Sequence, residues 1–290
     1  MTGATTGVVP TDGADIYFER RGAGPAMLLI AGGGGDCGVF DRLADMLAGT
    51  HTVLSYDRKG NSRSPLRRPP QPISIAEQSA DAATVIRANG FESALVFGNS
   101  GGATIALDLA AHHPQVVVAA VPHEPPVPRI LPDAADIIAR YDEIDRVRRS
   151  DGWQVALARF LAENGLAPEQ PEMLAAMIDP VRFFPPGPML DEMRRENGNW
   201  GYMMEHEVAP FVAYEPDWAR LAEGKVPIAI GVGAETRNQI PHRAGVAVAE
   251  RLGVRLVEFP GDHVAPATIP GAFAPELRSV FLELVAADRR

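Results

Sequence analysis

The residues in this chain that could do nucleophilic chemistry are Ser100 and one of seven histidines. Ser100 lies in Gly98-Asn99-Ser100-Gly101-Gly102, a G-x-S-x-G stretch between an apolar run that reads as a buried strand and a helical pattern. A sharp strand-to-helix turn demands small residues two before and two after the serine. It lifts the hydroxyl out of the sheet beside a helix N-terminus, where free amides and the dipole favour a developing oxyanion. A serine hydroxyl is a poor nucleophile until a neighbouring base takes its proton. His51, His112, His113, His123, His206, His242 and His263 are the available bases.

Such residues need a rigid frame, and the apolar pattern supplies one. Gly7-Val8-Val9, a Pro10-Thr11-Asp12-Gly13 turn and Ala14 to Glu19 read as a β-hairpin on the Asp-Gly signal. Ala26 to Ala31, His51 to Tyr56, Ser93 to Phe97 and Val116 to Val121 read as further strands, with helices near Phe40 to Ala48, Ile75 to Asn89 and from the Ser100 turn to about His112. Continuous apolar runs are expected of strands covered on both faces, and strand–helix alternation predicts a mostly parallel sheet. From about Glu124 prolines separate helical patterns and no strand is predicted until Val226. Strands then resume at Pro227 to Val232 and Arg255 to Phe259, with helices at His242 to Leu252 and Pro275 to Ala286. Residues 1–124 and 218–290 are therefore expected to form an α/β core and residues 125–217 an inserted helical cap.

Composition narrows the class. The chain has 290 residues, 46% of them hydrophobic and 22% charged, which fits a globular protein. A formal charge of −10 argues against a nucleic-acid partner, whose phosphate backbone would need a basic face. Cys37 is the single cysteine, so neither an intrachain disulfide nor a thiolate zinc cluster can form. No apolar run approaches the ~20 residues needed to cross a bilayer, and the first residues lack the pattern of a secretory signal. A cytoplasmic location with no membrane or nucleic-acid partner is the expectation. A homodimer is compatible with the sequence.

Over nearly its whole length the chain resembles the α/β-hydrolase superfamily: the N-terminal hairpin, the glycine-rich loop after Ala31, the Tyr56-Asp57-Arg58-Lys59-Gly60-Asn61-Ser62 turn, the Ser100 elbow, the cap, and Gly261-Asp262-His263 after the last strand. The resemblance implies a metal-free, cofactor-free hydrolase with Ser100 as nucleophile and His263 as base, in the chain order Ser…acid…His. It also implies that Asp57 and Arg58 shape the loop beside the site. Most relatives carry the acid after the penultimate strand. That segment here is Gly233-Ala234-Glu235-Thr236, with Thr236 where the aspartate is expected and Glu235 one residue early. Esterase- and lactonase-like branches, including ones similar to zearalenone lactonases, place the acid after the strand that follows the nucleophile helix. Glu124 occupies that place, 24 residues after Ser100 and held by Pro125 and Pro126. Glu124 is preferred and Glu235 is the alternative.

The resemblance further implies oxyanion donors at the Gly101 amide and in Ala31-Gly32-Gly33-Gly34-Gly35, with Gly33 the best match and Gly34 the alternative. Trp200, Tyr202, Met203, Met204 and Phe184 of the cap are the expected substrate contacts, since methionines and aromatics over a cleft suit an adaptable apolar pocket. Asn197-Gly198-Asn199-Trp200-Gly201 reads as a flexible joint. The expected reaction is hydrolysis of an apolar ester or lactone, with thioesterase, carbon–carbon bond hydrolase and iminopeptidase as alternatives. Two other classes stand beside it. The fold can serve as a non-catalytic ligand receptor. Gly33-x-Gly35-x-x-Gly38, with Asp57 19 residues further on, also fits a dinucleotide fingerprint and hence an NAD-binding oxidoreductase.

Overall fold

The computed structural model describes residues 3–168, 170–183 and 185–288. Its frame is an eight-stranded sheet: β1 Thr5–Thr11, β2 Ala14–Arg21, β3 Ala26–Ile30, β4 Thr52–Tyr56, β5 Ala94–Asn99, β6 Val117–His123, β7 Ala229–Gly233 and β8 Arg255–Phe259, in the order β1-β2-β4-β3-β5-β6-β7-β8. β2 pairs antiparallel with β1 and with β4, and every other pairing is parallel. The Asp12-Gly13 turn joins β1 and β2 as expected, but Pro10 and Thr11 belong to β1 rather than to the turn, with Pro10 opposite Asp15. A proline is tolerated there because β1 is an edge strand and its missing N–H breaks no ladder.

The helices are α1 Asp41–Leu47, α2 Ile75–Ala88, α3 Gly101–His112, α4 Ala134–Asp151, α5 Trp153–Glu163, α6 Pro171–Ile178, α7 Pro180–Phe183, α8 Pro188–Tyr202, α9 Val208–Ala213, α10 Trp218–Ala222, α11 Ile240–Leu252, α12 Ala265–Thr268 and α13 Pro270–Asp288. Alternation along β3 shows how they cover the sheet. Leu28 and Ile30 pack into one layer with Val85 of α2, Ile105 of α3 and Val248 of α11. Met27 and Leu29 point the other way, to Leu43 of α1 and Phe273, Leu277 and Phe281 of α13. Both faces of the central strands are dry, which is why they read as unbroken apolar runs.

The described residues between β6 and β7 hold helices and turns but no strand. This helical insertion has a core of its own, in which Ile137, Tyr141 and Ile144 of α4 meet Leu157 and Leu161 of α5 together with Met203 and Met204. Among the described residues no helix is long and apolar enough to cross a membrane.

Candidate active site

β5 runs directly into α3 with Ser100 at the junction, at φ 56° and ψ −124°. That conformation costs about 1–3 kcal/mol for a non-glycine residue, and the glycines around it make it possible. A Cβ on Gly98 would lie 2.1 Å from the Gly102 carbonyl oxygen, and one on Gly102 would lie 2.0 Å from that of Ile30. The Ser100 amide donates to the His123 carbonyl at 2.9 Å, which ties the turn to β6. Gly101 opens α3, so its amide lies in the first turn, where no earlier carbonyl of the helix can accept it.

The parallel register brings the next groups to the same end of the sheet. Asn99 lies opposite His123, His123 opposite Gly231, and Gly233 opposite Phe259. The residues that follow β5, β6, β7 and β8 therefore share one edge, where ligands collect in parallel sheets. Glu124 leaves β6 at φ 52°, with its amide on the Gly231 carbonyl at 2.9 Å. Its fully buried carboxylate receives His263 Nδ1 on Oε2 at 2.5 Å. Oε1 accepts the Gly233 amide at 2.9 Å and a short bond from the Thr236 hydroxyl. Burial alone would raise this carboxyl. The hydrogen bond and charge of His263, with smaller contributions from His123 and Thr236, outweigh it and hold the group at about 2.

Glu235, the alternative acid, is exposed to solvent, with its amide on the Gly261 carbonyl. Of the seven histidines, His263 alone lines the cavity described below. His123 points away from Glu124 into the rings of Phe97, Phe259 and Phe273, with Nδ1 2.7 Å from Asn99 Oδ1. Burial pushes it down to about 3, so it stays neutral.

Gly32 to Gly35 form a tight turn, closed by the Gly35 amide on the Gly32 carbonyl at 3.1 Å. A Cβ on Gly32 would lie 2.7 Å from that of Ser100, so only glycine lets this loop approach the serine. Gly33 is exposed and Gly34 buried, and both line the cavity. The end of β4 clamps the loop. Asp57 Oδ1 takes the Cys37 amide at 2.9 Å, the Arg58 amide donates to the Gly35 carbonyl at 2.8 Å, and Arg58 Nη2 donates to the Gly32 carbonyl at 2.8 Å.

These contacts do not suit dinucleotide binding. The glycine run leads into a 3-10 turn at Cys37–Phe40, and Asp57 spends both carboxylate oxygens on Cys37 and Arg63 instead of presenting one to a ribose. Asp36, Cys37 and Asp57 cluster closely enough for a metal ion, but Arg63 Nη2 lies among them, at 3.2, 3.4 and 2.9 Å respectively. The guanidinium is the cation there. Burial, then the neighbouring Asp57 and Glu19 carboxylates, push the Cys37 thiol far above its ordinary range.

Ser100, Gly33, Gly101 and His263 line one cavity of about 340 Å³, roofed by the helical insertion through Tyr141, Phe160, Leu166, Trp200, Met203 and Phe211. Of the expected substrate contacts, Trp200 and Met203 belong to it. Both stand over the glycine loop, where a Cβ on Gly33 would lie 3.0 Å from Met203 Sδ and 3.3 Å from Trp200 Cζ3. Tyr202 and Met204 do not line the cavity: Tyr202 packs on Gly60, and Met204 is buried in the core of the insertion. Phe184 lies outside the described residues.

The stretch expected to be a joint is a continuous part of α8. Asn199 Oδ1 takes the Ser62 amide and its Nδ2 donates to Ser62 Oγ, both at 2.7 Å. Asn197 Nδ2 donates to the Met177 and Ile178 carbonyls at 2.9 and 2.7 Å. After α8 a π-helical turn, Met203–Glu207, leads into α9. Pro210 has no N–H for the His206 carbonyl four residues back, and the Ile73 amide takes that carbonyl instead, at 3.3 Å. In the same turn Glu207 meets Arg58 in a buried, two-pronged ion pair at 2.6 and 2.8 Å. Sequence reasoning missed Thr236, Glu207 and Asn199. The available signal was a threonine at the position where an acid was expected.

A family model described as alpha/beta hydrolase fold matches residues 25–149. An uncharacterized hydrolase from Bacillus subtilis, YraK, is 31% identical over 263 residues, 89% of each chain. A zearalenone hydrolase from Cladophialophora bantiana is 28% identical over 271 residues, 92% of each. Among solved structures, an alpha/beta hydrolase from Sphaerobacter thermophilus is 26% identical with a TM-score of 0.65, covering 95% of this chain and 100% of its own.

Proposed function

The chain belongs to the α/β-hydrolase family, and we propose that it is a serine hydrolase of carboxylic esters or lactones of fairly apolar small molecules. One observation carries the reading: the Glu124 carboxylate, buried and ionised, takes Nδ1 of the histidine that shares a cavity with Ser100. With Nδ1 committed, Nε2 is the nitrogen left to act on the serine. Ser100 Oγ attacks the carbonyl carbon and His263 takes its proton. Glu124 stabilises the imidazolium, and the Gly33 and Gly101 amides receive the oxyanion. Collapse expels the alcohol, which leaves with the proton from His263. Water then adds to the acyl-enzyme by the same route and frees Ser100 and the acid product.

The lining supports this substrate class. Aromatic and aliphatic side chains dominate the cavity, and the Arg58 cation within it is matched by Glu207. A largely apolar lining makes desolvation of a charged substrate costlier than that of an apolar ester. The zearalenone hydrolase relative supports a lactone among the candidates. In this reading residues 125–217 act as a cap over the reacting centre.

The test is a fluorophosphonate probe with mass spectrometry, followed by a panel of aryl esters, lactones and thioesters. Ser100 is the expected site of labelling, and Ser100→Ala should lower kcat by roughly 10⁶-fold. Turnover by that variant above about a tenth of the parent rate would reject the covalent route.

A further inference from the structure

The loop that carries the proposed oxyanion donor is held from the cap. Gly32 C=O and Gly33 N–H belong to one peptide unit. No peptide bond among the described residues is cis, so the two groups point in opposite directions. Whatever fixes the carbonyl therefore aims the amide. The Gly32 carbonyl has two donors, the Gly35 amide at 3.1 Å and Arg58 Nη2 at 2.8 Å. The first is a bond within a run of four glycines, where the backbone has the least intrinsic preference for one orientation. The second comes from a charged side chain outside the run.

Arg58 is itself immobilised. It is 1% exposed, and its two terminal nitrogens make four contacts: Gln78 Oε1 at 2.5 Å, Glu207 Oε1 at 2.6 Å, Glu207 Oε2 at 2.8 Å and the Gly32 carbonyl. Only a planar fork can satisfy a bidentate carboxylate and a carbonyl together. Glu207 lies 149 residues from Arg58 in the π-helical turn, and a buried guanidinium left without that carboxylate would be strongly destabilised. The pair therefore holds only when the cap is seated. The adjoining contacts, Asn61 Nδ2 to Glu207 Oε1 at 3.2 Å and Phe211 under the guanidinium at 5.8 Å, lie between the same two layers.

We infer that Arg58 and Glu207 are positioning residues through which the seated cap aims the Gly33 amide at the reacting carbonyl. The inference rests on the serine-hydrolase reading and adds to it a link from cap closure to oxyanion stabilisation. A charged donor on the Gly32 carbonyl also polarises the shared peptide and makes Gly33 N–H a stronger donor.

The experiment compares the parent protein with R58M/E207L, which replaces the ion pair by apolar side chains and so removes the hook without leaving a buried charge, and with Glu207→Gln. Each is assayed for hydrolysis of an aryl ester and for binding of an arylboronic acid, whose tetrahedral adduct on the serine mimics the oxyanion. The double variant should fold, lose roughly 10- to 100-fold in kcat with KM nearly unchanged, and lose boronate affinity by the same factor. Glu207→Gln should move both quantities in the same direction by less.

A folded double variant with kcat and boronate affinity within about threefold of the parent overturns the inference. So does a fall in kcat that boronate affinity does not follow, because a merely structural lesion would not single out the tetrahedral adduct. If the double variant does not fold by circular dichroism, Glu207→Gln is judged by the same two criteria. Failure of the underlying reading shows separately: a parent protein that neither takes the fluorophosphonate at Ser100 nor cleaves esters removes both.

Discussion

Thr236 donates its hydroxyl to Glu124 Oε1, the carboxylate oxygen that His263 leaves free. The threonine stands after β7, where an acid is expected in most relatives, and it serves the acid that ends β6. Thr236→Val should therefore weaken the orientation of the imidazole without removing any reacting group. The expected outcome is a loss of about 1–3 kcal/mol in stability, as for a buried hydrogen bond to a charged group, with a roughly tenfold lower kcat. Chemical denaturation and steady-state kinetics on one preparation would check both. Thr236→Asp should be worse than Val, because two buried carboxylates in contact cannot both ionise.

Glu124 and Glu235 make opposite predictions. Glu124→Gln keeps the shape but presents a neutral amide to His263 Nδ1, and a loss of up to ~10⁴-fold in kcat is expected. Glu235→Gln changes an exposed side chain and should stay within about twofold. Parallel kinetics of the two variants would check this, and the reverse ranking would place the acid after β7.

Acid should act through Glu124 as well. Its folded-state value of about 2 lies below the ordinary 4.5, so the unfolded chain takes up the proton first. The stabilisation is complete above about pH 4.5 and is lost progressively as the pH falls toward 2. Urea unfolding at about pH 5 and about pH 3 should show a larger drop for the parent than for Glu124→Gln. Equal drops would mean that other groups govern acid stability.

Two glycine-to-alanine changes separate sterics from helix propensity. Gly198 lies in α8 with nothing within 4 Å of a new Cβ, so Gly198→Ala should stabilise by about 0.5–1 kcal/mol. Gly102 is also helical, but its Cβ would lie 2.0 Å from the Ile30 carbonyl oxygen. A gain of that size cannot offset a clash of the new Cβ with a backbone carbonyl, and Gly102→Ala should cost more than about 4 kcal/mol or abolish soluble expression. Thermal melts of both variants would decide.

The elements at the sheet edge were legible because their constraints are local. A strained strand-to-helix turn writes its glycines into neighbouring positions, a dry strand writes an apolar run, and Glu124 carries two prolines beside it. Contacts between distant segments leave no such mark. Glu207 sits among residues of ordinary helical pattern, and nothing near it announces a partner 149 positions away. Asn197 and Asn199 suggest a joint because polar residues beside glycines weaken a helix. In the fold, the Met177 and Ile178 carbonyls accept from the Asn197 side-chain amide and Ser62 Oγ accepts from that of Asn199, and the helix runs through. Pro10 reads as a turn residue because sequence alone does not say which strand lies at an edge.

Cys37, the only thiol in the chain, is fully buried and kept protonated by its surroundings, which makes it inert to alkylating reagents while the protein is folded. A second cysteine placed on the outer surface of α5 would then be the one position to accept a maleimide dye. Fluorescence from that dye could follow movement of the roof on single molecules without first removing a native sulfhydryl.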